Sequence, residues 1–385
     1  WSSDVCSSDL FALPELKKRK SVKWRRYPTD VLPLPVAEMD FPIAEPIKAA
    51  LRDMIDRSDT GYLGPFPELG ESFKNFAAHV WSWNLDPSHI RLATDVGVGV
   101  VEVVRTLIKP GDQMMINSPV YDNMWNWVKE LNAHLVDVPL REEGLEYSID
   151  LEGIEQAYAG GVKVHLLCHP HNPVGIVYTR SELERIADMA QSYGVFVISD
   201  EIHAPLTFPG KEFVPFLAVS DAARACGITI TSASKAFNLA GLKCAMIISG
   251  SEPLKDRINA MPISVAFRAS LFGATAAAAA FEHSRSWLDQ CLHTLDQNRH
   301  LLRSLIDSRL PAIGYRVPDF GYLAWLDLSA LNLGADPSAT LLERGKVAIN
   351  GGLMYSPHHA QFARLNFGTS PEIITEGIDR IARAL

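Results

Sequence analysis

An open α/β sheet, doubly wound and mostly parallel, is the fold class that the sequence predicts, followed by a smaller α+β unit. Three observations predict it. Short β-branched runs such as Val162–Cys168, Val195–Ile198 and Gly227–Thr231 alternate with segments of helical periodicity, and strands alternating with helices build a parallel sheet covered on both faces. Each run delivers polar residues at its C-terminal end, where an open parallel sheet binds its ligands. From about Trp287 the order changes to a long helix followed by strands, a helix and a strand. A chain of 385 residues has room for a large unit and a second, smaller one.

Composition narrows the function. The formal net charge is −9 and no long Lys/Arg face occurs, which argues against a general nucleic-acid surface. The Lys17–Lys20 cluster and Arg25-Arg26 read as a solvated arm. The longest apolar candidate, Gly273–Phe281, is short and Ala-rich, so no membrane span is expected. Five cysteines, at positions 6, 168, 226, 244 and 291, are scattered with no CxxC pair. That pattern predicts a reducing, cytoplasmic setting rather than a disulfide framework.

Taken in order, residues 1–10 repeat Ser-Ser-Asp without a signal-peptide core and are expected to be a vector- or assembly-derived scar. Phe11–Pro46 is proline-rich, closed to long helices and central strands, and is expected to lie across a surface: the mouth of a site or a plain connecting arm. Ala44–Ile55 reads as a helix with Ile47, Leu51, Met54 and Ile55 on one face. Gly61–Pro67 is a turn-dense loop carrying Tyr62. The strand Ile90–Thr94 leads through Asp95-Val96-Gly97 into a helix ending near Ile108, and such a unit leaves free amides for an anion. It does not match GxGxxG, because Glu102 stands at the third glycine position. The next strand, Met114–Asn117, ends in Ser118-Pro119-Val120-Tyr121. Val162–Cys168 ends in His169-Pro-His171-Asn172-Pro173. A capping box at Thr179 and Glu182 opens a helix closed by Gly194. Val195–Ile198 then ends in Ser199-Asp200-Glu-Ile-His203. After Gly227–Thr231 come a strand at Ala245–Ile248, an Ala-rich helix over Ala266–Ser286 and a long helix over Leu288–Leu310. Strands at Tyr315–Val317 and Leu323–Leu328, a helix at Pro337–Arg344 and a strand at Ala363–Phe367 complete the chain. The expected division is an arm over 11–45 that joins the small domain, a large domain over 46–286 and a small domain over 287–385.

The chemistry gathers at Ser232-Ala-Ser234-Lys235, continued by Gly241 and Lys243. A lysine on a turn leaving a buried strand is held by the scaffold, and burial beside other cations lowers its pKa and frees the amine for Schiff-base formation. Ser232, Ser234 and Lys243 suit a phosphate. The combination points to pyridoxal 5′-phosphate (PLP), held covalently at its aldehyde and electrostatically at its phosphate. On this stretch alone, a Ser-rich turn with solvated lysines reads equally well.

The other strand-end groups tip that balance. Tyr121, Asn172-Pro173, Asp200, Ser-x-Ser-Lys235 and Arg364, in this order, resemble the fold-type I PLP enzymes of the aminotransferase class I/II superfamily. The closer likeness is to the MalY/PatB-type group of cystathionine β-lyases (cysteine-S-conjugate β-lyases). It is carried by Ser21-x-Lys23-Trp24, Ala37-Glu-Met-Asp-Phe41, Gly61-Tyr62, Pro119-Val-Tyr121, His171-Asn-Pro-Val-Gly175, Ser199–His203 and Ser234–Gly241. The resemblance implies a seven-stranded-type sheet in the large domain, a homodimer with shared active sites and an amino-acid substrate, sulfur-containing by preference. It implies that Lys235 carries the cofactor and acts as the base at Cα, with Asp200 under the pyridine nitrogen and Tyr121 stacked on the ring. Asn172 and His203 face the cofactor. Ser232, Ser234, Lys243, the amides near Val96 and Gly97, and a partner's Tyr62 hold the phosphate. Arg364 grips the substrate carboxylate, with Asn172, Tyr62 and Ala37 around the substrate. Each has a plainer reading: Asp200 as a helix N-cap, Asn172 as an Asx-turn, Tyr121 as core, Arg364 as a surface ion pair.

Two departures stand out. Asp95 replaces the family glycine in the phosphate turn, and Ala204-Pro205 replaces the common acidic continuation after His203. The histidines at 165, 169, 171 and 203 have no carboxylate pattern joining them, so no metal is expected. A PLP-dependent C–S β-lyase is the leading function; an aminotransferase shares every residue named, and a non-catalytic binding protein of the same fold is the third reading.

Overall fold

The computed structural model describes residues 10–385, so all but Leu10 of the expected N-terminal scar lies outside the described residues. Seven strands form the large sheet: β1 (Ile90–Ala93), β2 (Gln113–Ile116), β3 (His134–Asp137), β4 (Val164–Cys168), β5 (Phe196–Asp200), β6 (Gly227–Thr231) and β7 (Ala245–Ser249). Their spatial order is β1-β7-β6-β5-β4-β2-β3. The sheet is mostly parallel, as expected: β7 runs antiparallel to both β1 and β6, and the other four pairings are parallel. The central strands are buried along their whole length, which is why they read as continuous apolar runs rather than alternating ones.

A second sheet of four strands, β8 (Gly314–Tyr315), β9 (Leu323–Asp327), β10 (Asn350–Gly351) and β11 (Phe362–Asn366), has the order β8-β9-β11-β10. It is antiparallel throughout. The Thr179 capping box is present: the Glu182 carboxylate accepts from the Thr179 amide at 2.7 Å, and the Thr179 hydroxyl accepts from the Glu182 amide. Gly194 closes that helix at φ 68°. The expected helix over Ala266–Ser286 is instead two, Ile263–Phe267 and Leu271–His283, with Ser270 capping the second. The first turn of the second helix presses directly on backbone: a Cβ on Gly273 would lie 2.3 Å from the Leu242 carbonyl oxygen. Helices over Pro67–Trp81, Leu151–Ala159 and Pro371–Arg383 lie outside the sequence assignments.

The proline-rich segment is more than a plain connecting arm: its second half packs inward and reaches the cavity at Ala37. Leu32, Leu34, Met39 and Phe41 are buried, and Leu32–Pro33 pairs in parallel with Val347–Ala348. The exposed residues of the segment lie mostly before Val31: the basic Lys17, Lys18, Lys20, Arg25 and Arg26, and also Phe11, Val22, Pro28 and Asp30. Lys23 is fully buried and donates to Asp40 at 2.8 Å, while the Trp24 indole donates to the other carboxylate oxygen at 3.2 Å. Among the described residues, no helix is long and apolar enough to cross a membrane.

Removing one partner of a buried pair strands the other charge in a low-dielectric interior, at a cost of about 3–5 kcal/mol. Asp40→Asn should therefore lower stability by about that amount and lower the melting temperature visibly. A melting curve that overlays the parent's would exclude Asp40 as the anchor of this segment.

Candidate active site

Loops leaving the C-terminal ends of β1, β2, β4, β5 and β6 meet β11 and the 35–41 segment around a cavity of about 500 Å³. Lys235 sits on the turn after β6, and its Nζ donates to the Ala37 carbonyl at 3.0 Å. Burial, with the nearby Arg364 charge, lowers its pKa to about 8. Asp200 is the last residue of β5. Burial raises its carboxyl to about 6, opposed by the Ile202 amide that donates to it at 3.2 Å and by the Lys235 charge. A base pushed down and an acid pushed up, side by side, mark an environment that resists isolated charge.

Arg364 occupies the middle of β11. One terminal nitrogen donates to Asn172 Oδ1 at 3.1 Å and the other to the Pro35 carbonyl at 3.1 Å. The guanidinium lies over the Tyr355 ring at 4.9 Å, and its buried Nε has no partner among the described residues. Tyr121 closes another wall, its hydroxyl accepting from Asn123 at 2.6 Å. Burial and the Asp122 charge push its phenol up to about 12. His203 is buried with Nδ1 unpartnered and its ring against Phe320 and Tyr322. Burial and the charges of Lys235 and Arg364 hold its pKa down at about 3, so it is neutral.

The anion end is the first turn of α1 (Val96–Leu107). Asp95 caps it, one carboxylate oxygen accepting the Val98 amide at 2.9 Å, while the other meets Lys243 Nζ at 3.1 Å. Asp95 thus turns toward the helix and the lysine. The amides of Val96 and Gly97 stay outside the helical ladder, in the cavity wall. A Cβ on Gly97 would lie 3.3 Å from the Trp127 ring, so a glycine keeps this cradle open. Ser234 and Lys243 line the same cavity.

Two expected site residues stand elsewhere. Ser232 is outside the lining; its hydroxyl donates to the Cys244 carbonyl at 2.6 Å and accepts from the Ser234 amide at 3.1 Å, bracing the lysine turn. Tyr62 is 83% exposed and stacks on Phe267 with ring centroids 5.0 Å apart, away from the cavity of its own chain. Conversely, Trp127 and Asn123 line the cavity from α2 (Asp122–Glu130), a helix the sequence reading did not assign. Its signal was present: Met124, Trp127 and Val128 are buried at the i, i+3, i+4 spacing. The histidines at 165, 169 and 171 hydrogen-bond Tyr158 and Asn117, the Val214 carbonyl, and Tyr178 and the Pro119 carbonyl.

A family model, aminotransferase class I and II, matches residues 29–381. The chain belongs to that family. It is 40% identical over 395 residues to a Mycobacterium tuberculosis protein whose name carries a provisional cystathionine beta-lyase assignment, covering 96% of this chain and 95% of that one. It is 34% identical to the cystathionine beta-lyase of Corynebacterium glutamicum, covering 97% of this chain and 99% of the relative. Among solved family structures, cystalysin from Treponema denticola, which contains a pyridoxal 5′-phosphate cofactor, matches with a TM-score of 0.91 at 26% identity over 96% of each chain.

The lowered pKa of Lys235 has a direct readout in cofactor-free protein. Burial favours the neutral amine, so the proton leaves earlier than from an exposed lysine. Reaction of Lys235 with a small acylating reagent, followed by peptide mass spectrometry, should show a midpoint near pH 8 against the usual 10.5. A midpoint at 10.5 would contradict this environment.

Proposed function

We propose that the protein is a PLP-dependent carbon–sulfur β-lyase acting on cystathionine, cysteine or cysteine S-conjugates to give thiol, pyruvate and ammonia. The observation that carries this reading is the convergence of Lys235, Asp200 and Arg364 on one cavity, in a chain 34–40% identical to proteins named as cystathionine β-lyases. The residues fit the cofactor on their own chemistry. There is a buried amine of lowered pKa, a buried carboxyl beside it, an orphaned His203 nitrogen and a glycine-floored cradle with free amides.

When bound, PLP supplies an electron sink that acidifies the Cα–H of an attached amino acid. The protein's part is to bind, orient and move protons. Arg364 presents its planar fork to the substrate carboxylate, with Asn172 fixing the fork's angle. Asp200 is the acidic partner for the pyridine nitrogen, Tyr121 the wall against the ring, and His203 a neutral hydrogen-bonding group. Lys235 would take the proton from Cα, and its burial favours the neutral amine that such a base needs. The Cβ–S bond then breaks with its electron pair on sulfur, the thiolate takes up a proton, and water converts the three-carbon remainder to pyruvate and ammonia. In this reading, residues 46–286 are the cofactor-binding domain, and 11–45 joins 287–385 as the smaller one. The pairing of Leu32–Pro33 with Val347–Ala348 supports that division. Four buried free cysteines suit a cytoplasmic setting.

Incubation with L-cystathionine decides between lyase and aminotransferase. Pyruvate and thiol should appear in equal amounts without an added keto acid, and Lys235→Ala should lose both products and the borohydride-fixed cofactor adduct. Keto-acid formation that depends on an acceptor, with no thiol, would overturn the lyase reading.

The proposed assembly is a homodimer in which Tyr62 completes the partner's phosphate site. An exposed Tyr62 stacked on half-exposed Phe267, near strongly exposed Ile263 on the helix ending at Phe267, supports an isologous contact there. Mixing Tyr62→Ala with Lys235→Ala subunits should restore activity, because one hybrid site then holds both Lys235 and a donated Tyr62. No recovery in verified heterodimers would refute the shared site.

A further inference from the structure

We propose that Trp127 donates its indole N–H to the cofactor phosphate at the start of α1. The inference rests on the PLP reading and extends it to a residue outside the resemblance described above.

Trp127 lies on α2, only 7% exposed, with its edge turned to the first turn of α1. Its Nε1 and Cζ2 both sit 3.3 Å from the point that a Cβ on Gly97 would occupy, beside the two amides that the helix leaves free. The ring is held there by edge-to-face contact with Tyr121 at 5.9 Å between centroids. An indole nitrogen only donates, and a buried one ordinarily finds an acceptor. Trp24, Trp125 and Trp325 give theirs to Asp40, the Tyr355 carbonyl and the Tyr147 hydroxyl, whereas buried Trp287, outside the cavity wall, also has no acceptor among the described residues. For Trp127 no acceptor is found among the described residues, and the ring opens into the cavity.

Charge explains why this cradle needs another donor. Lys243 is the cation that lines the anion end, and its ammonium is paired with Asp95 at 3.1 Å. The carboxylate offsets much of the attraction that a free lysine would exert on a phosphate. Binding then leans on uncharged donors that line the same cavity: the Val96 and Gly97 amides, the Ser234 hydroxyl and the Trp127 N–H. A glycine at 97 lets the indole edge and the phosphate share the space, whereas a side chain there would press on the indole.

The test uses cofactor-free full-length protein, titrated separately with inorganic phosphate and with PLP by calorimetry. Trp127→Phe keeps an aromatic wall against Tyr121 but lacks the N–H. It should bind both ligands about tenfold more weakly, the usual scale for one donor to a charged acceptor. Trp127→His, which restores a ring donor, should recover part of that loss. In parent protein, one indole N–H resonance should move downfield as phosphate is added. Trp127 is the only tryptophan in the described cavity wall, so this signal serves even if a variant fails to fold. Equal affinities for parent and Trp127→Phe, with static indole resonances, would overturn the inference and leave the PLP reading intact. A parent protein that binds neither phosphate nor PLP would overturn both.

Discussion

The backbone of residues 34–41 has neither helix nor long strand to satisfy it, and the site depends on how that need is met. Every carbonyl in the run is taken. The Leu34 carbonyl accepts from the Asn366 amide, and Pro35 from Arg364 and Asn350. Val36 and Glu38 accept from Asn366, and Ala37 from Lys235 and Tyr322. Met39, Asp40 and Phe41 accept from Asn238 or Arg19. Buried backbone groups left unpaired would each be costly, so the run is fixed wherever these side chains stand. Lys235 and Asn238 come from the turn after β6, whereas Tyr322, Asn350, Arg364 and Asn366 come from or beside the four-stranded sheet. The proline-rich run is therefore the common reference against which the lysine and the arginine are set.

Electrostatics in the cavity follow from the same burial. Lys235, Asp200 and His203 each lose solvent, and each is driven toward its neutral form. Arg364 stands among them with two nitrogens hydrogen-bonded and a tyrosine face beneath its guanidinium. A cavity that discourages stray charge but sets the Arg364 guanidinium in its wall favours an anionic group beside it. It also makes the neutral form of the Lys235 amine in the middle easier to reach than that of an exposed lysine. Behind this lies Glu201, buried and raised to about 8 chiefly by desolvation, whose carboxyl accepts from Ser199, Thr229 and the Phe216 amide. It ties β5 to β6 directly under the Asp200–Lys235 pair.

Much of this was legible in the residues. Strand-end groups could be ordered because buried parallel strands are short, apolar and punctuated, and Gly227–Thr231 was bounded to the residue. The Ala-rich stretch misled, because alanine periodicity carries no face, and the Ser270 cap that restarts the helix shows only in the fold. Asp95 could be seen as unusual but not explained, since its partner Lys243 is 148 positions away. Ser232 read as a phosphate ligand beside Ser234, which does line the cavity. Only the fold reveals that its hydroxyl is turned to Cys244. The arm read as surface because proline excludes regular structure, and sequence does not show that side chains can replace a ladder.

That replacement has a consequence for how the chain tolerates change. Between Pro35 and Glu38 the grip is on carbonyl oxygens, which every residue type possesses, so side-chain identity at Val36 and Glu38 is nearly irrelevant to it. Spacing is not. One inserted or deleted residue would slide each oxygen past its donor by about 3.5 Å, uncoupling Lys235, Tyr322, Arg364 and Asn366 together. The segment is written in length rather than in letters.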